Sequence, residues 1–197
     1  MYAILALAIT QAPTCVCPVT GQAVNDESPS FAVSGVQFRF ADESSKNLFA
    51  KSPLETLEVA RKKGWTVGIS FFDPVTHKSP ILSRDGKIRA ADLNMIKAFS
   101  TYNGVIFPFE RPRSKNQFER DPASWLAEPK QYTLACPYMG NKSPSVERAV
   151  GYQDVEGVRY FLCCDTCVSF ARGQGKNADY SESKKSGSDW VSLFPKK

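Results

Sequence analysis

The cysteines are the residues of this chain best suited to chemistry, and their spacing along the sequence is uneven. Two of them, Cys15 and Cys17, lie near the amino terminus, and no other follows until the last third of the chain. A disulfide scaffold distributes its bridges along a chain, whereas a metal site gathers its ligands. The clustering therefore favours a metal site built from the other four cysteines, which are Cys136, Cys163, Cys164 and Cys167.

Sulfur ligands select particular metals. Thiolates bind zinc and copper(I) well, and a tetrahedral site commonly combines a short-spaced pair from one turn with a second pair supplied from a distance. One pair here is Cys136 with Met139, and the other is Cys167 with Cys163 or Cys164. Including Cys164 brings the set to four cysteine sulfurs, which suits zinc. Including the thioether of Met139 makes a softer set, which suits copper(I).

Other interpretations of the same cysteines stay open. In an oxidising compartment two of them, such as Cys136 and Cys167, could form a disulfide, or the thiols could simply pack as small apolar side chains. Cys164 and Cys167 also form a Cys-x-x-Cys pair at a predicted helix start, where free N–H groups favour a thiolate. That spacing is compatible with redox chemistry, although the long parallel strand that precedes a thioredoxin-like site is missing.

Cys15 and Cys17 are a weaker candidate for metal binding. Two thiols at this spacing can chelate a soft metal, but the strand–helix turn that follows carries Ala41, Asp42 and Ser45 in place of cysteines. We interpret the pair as an auxiliary or vestigial metal site at most.

The elements that position these residues show an internal similarity. Residues 36–57 (VQFRFADESSKNLFAKSPLETL) align without a gap with residues 105–126 (VIFPFERPRSKNQFERDPASWL), and nine of the 22 positions are identical. Unrelated sequences of ordinary composition would share about one or two. Each stretch follows a Cys-Pro or Asp-Pro turn, at Cys17 and Asp73, and a third copy begins at Cys136. This third copy needs a one-residue deletion to place Phe170 with Phe49 and Phe118, so the sequence predicts three related units.

Each unit is predicted to contain a turn, an alternating strand and a short helix. Apolar side chains at every second position of the strand line one face. Phe40 and Phe109 on the strands are expected to be buried, together with Phe49 and Phe118, which face inward from their helices. Ser45 and Ser114 are candidate helix caps. Further elements are expected as strands at 65–72 and 132–135 and as a helix at 90–99.

The third unit resembles the YHS (TRASH-like) heavy-metal-binding family. Its Cys136-Pro137-x-x-Gly140 turn leads through an apolar strand into Cys163-x-x-x-Cys167 and a helix with Phe170. Where the family carries a second cysteine in the first turn, this chain has Met139. The resemblance implies small zinc-ribbon-like modules that bind metal, with Cys136, Cys163 and Cys167 as ligands.

Together these patterns predict an α+β fold of three tandem β-hairpin-plus-helix units packed together, because each is too small to bury a full core alone. The first two would be degenerate copies of the family module, and the second has no cysteine and an added helix. The expected boundaries are a signal-like segment at 1–12, units at 13–64, 65–130 and 131–180, and a polar tail at 181–197.

Several function classes are disfavoured. The net charge of +5 is mild and the lysines are scattered, whereas a nucleic-acid-binding face would need a basic stripe with interleaved aromatics. His77 is the single histidine, is expected on a surface turn, and has no nucleophile motif near it in sequence. Phosphate-binding and dinucleotide-binding motifs are absent. We therefore predict a metal-binding protein for trafficking, buffering or sensing, not an enzyme, with a disulfide-linked or thiol-packed interaction scaffold as the alternative.

The amino-terminal segment bears on location. Residues 1–12 are apolar but shorter than the roughly 20 residues that a membrane span needs, and they resemble the apolar part of a secretory signal without its basic start. We expect an extracytoplasmic protein, periplasmic or secreted, with a cytoplasmic one as the alternative. No other segment is predicted to be transmembrane, and the expected partner is a metal ion rather than nucleic acid.

Overall fold

A computed structural model describes residues 14–80, 96, 98–126, 128–181 and 187–194. Within these ranges the protein is a mixed α+β fold with two small sheets and five α-helices. The signal-like segment at 1–12 and most of the helix expected at 90–99 lie outside the described residues. Of the latter stretch, Phe99 begins a strand instead.

The larger sheet has five strands in the order β1-β2-β3-β5-β4. All its pairings are antiparallel except β3 with β5, which is parallel. Three of the four helices that accompany it begin with proline, whose fixed φ suits the first helical turn and whose missing N–H costs nothing there. The elements are β1 (Ser30–Val33), β2 (Val36–Arg39), α1 (Glu43–Lys51), α2 (Pro53–Lys62), β3 (Gly68–Ser70), β4 (Phe99–Tyr102), β5 (Val105–Pro108), α3 (Pro112–Arg120) and α4 (Pro122–Trp125).

The smaller sheet has four strands in the order β7-β8-β6-β9. Strand β6 pairs parallel with β8, as β3 does with β5 in the first sheet. The elements are β6 (Gln131–Thr133), a short 3-10 helix (Val146–Arg148), β7 (Gly151–Val155), β8 (Val158–Leu162), α5 (Asp165–Ala171) and β9 (Ser188–Asp189).

The same two-residue hairpin turn occurs three times. In each turn both residues have positive φ and the second is glycine, which adopts this backbone without steric cost. Such turns match the right-handed twist of the strands that they join. Each hairpin leads directly into a helix, and Phe38 and Phe107 lie in the second strand of their hairpins. The turns are Ser34-Gly35 (φ 51° and 75°), Asn103-Gly104 (50° and 76°) and Glu156-Gly157 (50° and 79°).

The core under the larger sheet is aromatic. The ring centroid of Phe49 lies 4.8 Å from that of Phe38 and 5.2 Å from that of Phe40. Phe118 repeats the arrangement with Phe107 at 5.1 Å and Phe109 at 5.3 Å. Burial of the four phenylalanines expected to face inward is confirmed, with relative exposures of 0% for Phe40, Phe49 and Phe118 and 2% for Phe109.

Helix capping differs from the prediction for Ser45 and Ser114. The helix α1 is capped by Asp42, whose carboxylate accepts a 2.7 Å hydrogen bond from the Ser45 backbone N–H. Helix α3 begins after Arg111, which makes no side-chain cap. Both serines therefore lie inside the first helical turn and are buried, so the prediction that they cap the helices is wrong.

The two sheets meet through the turn that contains His77. Lys78 forms an isolated antiparallel bridge with Gly151, and the Tyr152 N–H donates to the His77 carbonyl at 2.9 Å. A Cβ atom on Gly151 would lie 2.7 Å from that carbonyl oxygen, so only glycine permits this close approach. The His77 ring, expected on the surface, is instead half-buried and stacks on Tyr152 with centroids 4.4 Å apart.

Part of the segment predicted as a polar tail packs against the protein. Among residues 187–194, Leu193 is fully buried in the core of the larger sheet. The Trp190 backbone N–H donates to the Lys130 carbonyl, and the Arg159 guanidinium lies 4.7 Å from the Trp190 ring. The partners of this segment, such as Lys130 and Arg159, lie much earlier in the chain, so a local pattern does not predict the packing.

No helix among the described residues has the length and apolar character required to cross a membrane.

Candidate metal centre

The first part of the site is the turn at Cys136–Gly140, which follows β6. The Cys136 N–H donates to the Asn141 carbonyl at 2.8 Å, and the Gly140 N–H donates to the Cys136 carbonyl at 2.9 Å. Gly140 has a φ of 69°, a conformation that glycine adopts readily. We call this hydrogen-bonded loop the knuckle turn. It holds Cys136 with no solvent exposure.

The second part is the turn from β8 into α5. The strand ends at Leu162 and Cys164 is the N-cap of the helix, with extended backbone angles. Cys163 and Cys164 are half-buried, whereas Cys167 in the first helical turn is fully buried. Because the strand has already ended, the two adjacent cysteines are not forced onto opposite faces of a sheet.

The structure brings three of the predicted ligands together. The Sγ atoms of Cys136, Cys163 and Cys167 all lie within 4.8 Å of one another, and Cys163 and Cys167 are 3.7 Å apart. Zinc–sulfur bonds of about 2.3 Å in a tetrahedron place sulfurs roughly 3.8 Å apart. The three sulfurs therefore need to approach one another only slightly to reach the spacing of a tetrahedral metal site. All six cysteines are free thiols.

The other two candidate ligands, Cys164 and Met139, differ from the trio in position or in exposure. The Cys164 Sγ is 3.4 Å from that of Cys167 but does not belong to the group in which all sulfurs are mutually close. Met139 is 49% exposed, in contrast to its knuckle-turn neighbour Cys136.

The segment that follows α5 donates hydrogen bonds to carbonyl groups of the knuckle turn. The Lys176 ammonium donates to the Tyr138 carbonyl at 2.7 Å, and the Asp179 N–H donates to the Pro137 carbonyl at 2.8 Å. The Tyr138 hydroxyl pairs with the Gln153 side-chain oxygen at 2.8 Å. These bonds fix the turn that carries Cys136 against strand β7.

Burial opposes ionisation of the inner thiols. Desolvation raises the pKa of Cys163 to about 11, and the nearby Cys136 thiol adds to the rise. The pKa of Cys167 is also raised, mainly by burial and then by the thiols around it. At Cys164 burial again acts upward, but the backbone N–H and thiol of Cys167 outweigh it, so the pKa is lowered. A cation among these sulfurs would reverse the penalty, because a coordinated thiol deprotonates outright.

Knuckle turns with the same hydrogen bonds occur in the other two units. Cys17 and Asp73 each occupy the position of Cys136, donating their N–H at 2.8 Å to the carbonyls of Gln22 and Lys78. Counting from the helix N-caps Asp42, Arg111 and Cys164 places the remaining positions in register. In this register the first unit carries Cys17, Ala41 and Ser45, the second Asp73, Glu110 and Ser114, and the third Cys136, Cys163 and Cys167.

The second unit fills its knuckle turn with a carboxylate. Asp73 is completely buried, and one of its oxygens accepts hydrogen bonds from the N–H groups of Val75 at 2.8 Å and Thr76 at 3.1 Å. The other oxygen accepts from the Glu110 N–H at 3.1 Å. The sequence aligned Asp73 with Cys17 but did not reveal this role, because the Glu110 donor lies 37 residues away.

The two cysteines of the candidate auxiliary pair pack with different apolar clusters. Cys15 packs against the apolar cluster around Phe72 and Phe161, whereas Cys17 belongs to the cluster around Phe38. Burial raises the pKa of Cys15 to about 12. For Cys17 burial acts upward, but hydrogen bonds from Thr20 and from backbone N–H groups lower its pKa. Within the described ranges, the trio in the third unit is the one group of three or more side chains placed to hold a metal.

Three converging thiols of this kind could bind a metal ion. No protein-family model, curated protein or solved structure matches the chain.

Proposed function

We propose that this protein binds a soft metal ion, zinc or copper(I), through the thiolates of Cys136, Cys163 and Cys167. The convergence of these three sulfurs within 4.8 Å supports the proposal. Two separate elements supply them, the knuckle turn and the start of α5, and both are held by hydrogen bonds independent of a metal. A cluster of converging thiols is chemically suited to a soft cation.

The number of sulfurs separates the two metals. Zinc favours four ligands in a tetrahedron, and Cys164 is placed to be the fourth because its Sγ is in contact with that of Cys167. Copper(I) prefers soft sulfur ligands, and the buried trio offers three without Cys164. Replacing Cys164 with serine should therefore weaken zinc binding more than copper(I) binding.

The role that fits this site is metal trafficking, buffering or sensing by a YHS/TRASH-like module. The three knuckle turns, each followed by a hairpin and a helix, support an origin in tandem zinc-ribbon-like units, of which the third keeps the ligands. The first two units would supply packing. A binding role is proposed over catalysis because the thiols face one another, and the single histidine, His77, stacks on Tyr152.

Metal counting on reduced, freshly purified protein tests the proposal. We expect one zinc or copper(I) ion per chain by elemental analysis after loading and removal of excess metal. Cys136→Ser and Cys167→Ser should each lose the ion, while Cys15→Ser, which alters a thiol in another cluster, should keep it. A stoichiometry below 0.1 in the wild type, or full retention in Cys136→Ser, would contradict metal binding.

One observation favours a second candidate, a metal-free scaffold in which the cysteines are linked. The Sγ atoms of Cys164 and Cys167 lie 3.4 Å apart, close enough for a disulfide to form with a small shift. Protein purified without reductant, free of metal and with two fewer titratable thiols than its six cysteines, would support this scaffold instead.

A further inference from the structure

Cys164 is a fourth thiol that lies beside the trio. It lies outside the mutually close group of Cys136, Cys163 and Cys167, yet its Sγ is in contact with that of Cys167. It is also half-buried, whereas Cys136 and Cys167 have no exposure. A reagent from solvent therefore reaches Cys164 more readily than it reaches Cys167.

The distance between these two sulfurs is short for unbonded atoms. A disulfide requires about 2.05 Å between sulfurs, so the observed 3.4 Å must close by roughly 1.4 Å. Cys164 is the N-cap and Cys167 lies in the first turn of the same helix, so rotation of two side chains can supply this movement. The alternative partner of Cys167 is Cys163, at 3.7 Å, but that thiol belongs to the proposed ligand set.

We propose that Cys164 is a thiol–disulfide exchange site that bonds to Cys167 and thereby releases the metal from the trio. The metal-release part rests on the proposed function, whereas formation of the Cys164–Cys167 disulfide does not. The consequence is a metal site whose occupancy follows the thiol–disulfide balance of its surroundings.

The oxidant is a low-molecular-weight disulfide such as oxidised glutathione. The Cys164 thiolate attacks one sulfur of that disulfide, forming a mixed disulfide and expelling one glutathione thiolate. The Cys167 thiolate then attacks the Cys164 sulfur, and the second glutathione thiolate leaves. Two protein thiols are oxidised and one external disulfide is reduced to two thiols. Cys136 and Cys163 remain as the only ligands of the trio, and two thiolates hold the ion more weakly than three.

The first experiment maps the disulfide in full-length, metal-free protein. After incubation with oxidised glutathione and capping of free thiols, cleavage before Asp165 separates Cys164 from Cys167, so a disulfide keeps the two fragments joined. We expect this linkage in the wild type and in Cys163→Ser, and its loss in Cys164→Ser. A linkage that persists in Cys164→Ser, or no linkage in the wild type, would overturn the proposal.

The second experiment follows zinc release from loaded protein with a chromogenic chelator. We expect oxidised glutathione to release zinc from the wild type and from the control Cys15→Ser in step with loss of two thiols. After subtraction of the release that each protein shows without oxidised glutathione, the release from Cys164→Ser should be at least tenfold slower, even if loss of the fourth sulfur weakens zinc binding. Equal rates in wild type and Cys164→Ser would refute the release mechanism. A wild type that forms the disulfide but never binds metal would refute the proposed function and leave the exchange site standing.

Discussion

The knuckle turns of the second and third units have the same backbone hydrogen bonds but carry different side chains at the buried position. Asp73 and Cys136 are both fully buried and both donate an N–H at 2.8 Å to the residue that closes the turn. The Asp73 carboxylate accepts three backbone N–H groups from its own unit. The Cys136 thiol meets two further thiols. The turn in the second unit supplies hydrogen-bond donors for its own buried carboxylate. The turn in the third unit brings its cysteine to two other thiols, a group that favours a cation.

This difference separates folding from chemistry. A buried carboxylate with three N–H donors has its hydrogen-bonding capacity met within the protein, and it needs no ion from solution. Crowded thiols gain little from one another, because sulfur is a weak donor and a weak acceptor. We therefore expect the second unit to be stable without metal and the third to depend on it. The predictions below test that contrast, beginning with the largest expected effect.

Metal removal should affect the third unit first. Structural zinc sites in small peptides bind with free energies on the order of 10 kcal/mol, and that energy stabilises whatever structure the metal requires. In hydrogen exchange, a chelator should remove protection from β8 and α5 before it affects β2 and β5. Cys136→Ser should show the same pattern without a chelator, while Asp73→Asn should respond to the chelator as the wild type does. Uniform loss of protection across both sheets would contradict the contrast.

Truncation of the core phenylalanine in the second unit should lower stability regardless of metal. Phe118 is fully buried between Phe107 and Phe109, and a Phe→Ala change at such a site costs about 3–5 kcal/mol. Chemical denaturation with and without zinc should give the same loss for Phe118→Ala. Leu48→Ala, which truncates a side chain that is 55% exposed, serves as the control and should cost less than about 0.5 kcal/mol. Loss of bound metal in Phe118→Ala under folding conditions would couple the two units more tightly than we expect.

Removal of the buried carboxylate should have a smaller but distinct cost. Asp73→Ala leaves the N–H groups of Val75, Thr76 and Glu110 without their acceptor, which we expect to cost about 2–4 kcal/mol. Asp73→Asn keeps one acceptor oxygen and should cost roughly half as much. Denaturant midpoints measure both values, and the metal content of both variants should equal that of the wild type. An Asp73→Ala protein as stable as the wild type would show that the hydrogen bonds are not needed.

Local patterns along the chain predicted a good part of this arrangement. The alternating phenylalanines in the strands and the Cys-Pro turn are signals that a few neighbouring residues carry. They were sufficient to predict that Phe40 and Phe118 are buried and to group Cys136 with Cys163, which lies 27 positions later in the chain.

The features that were not predicted depend on contacts between distant segments. Asp73 accepts a hydrogen bond from the Glu110 N–H, His77 stacks on Tyr152 of the other sheet, and Leu193 enters a core built mainly from residues 16–126. Nearly every residue has a backbone N–H, so the residue type does not indicate which N–H will donate to a distant carboxylate. The cap of α3 likewise depends on where the preceding strand ends rather than on its serine.

The smallest expected effect comes from grafting the third unit's ligands onto the second. The triple change Asp73→Cys, Glu110→Cys and Ser114→Cys places thiols at the positions that correspond to Cys136, Cys163 and Cys167. If the two turns share a backbone, a second metal ion should bind. The Lys78 ammonium, now 3.7 Å from the Glu110 carboxylate, would then lie beside three coordinated thiolates, whose charge exceeds that of the bound ion, so it should favour metal binding at the new site. An attraction of about 1.4 kcal/mol would strengthen binding about tenfold, and adding Lys78→Gln should remove that factor. Competition with a chelator of known affinity measures the metal affinity of both sites.

The control is the double variant Asp73→Cys with Glu110→Cys, which lacks the third thiol and should bind no second ion under the same conditions. A triple variant that folds and still binds only one ion would show that the two knuckle turns are alike in hydrogen bonding but not in the direction of their side chains. The site in the third unit would then depend on more than the positions of Cys136, Cys163 and Cys167.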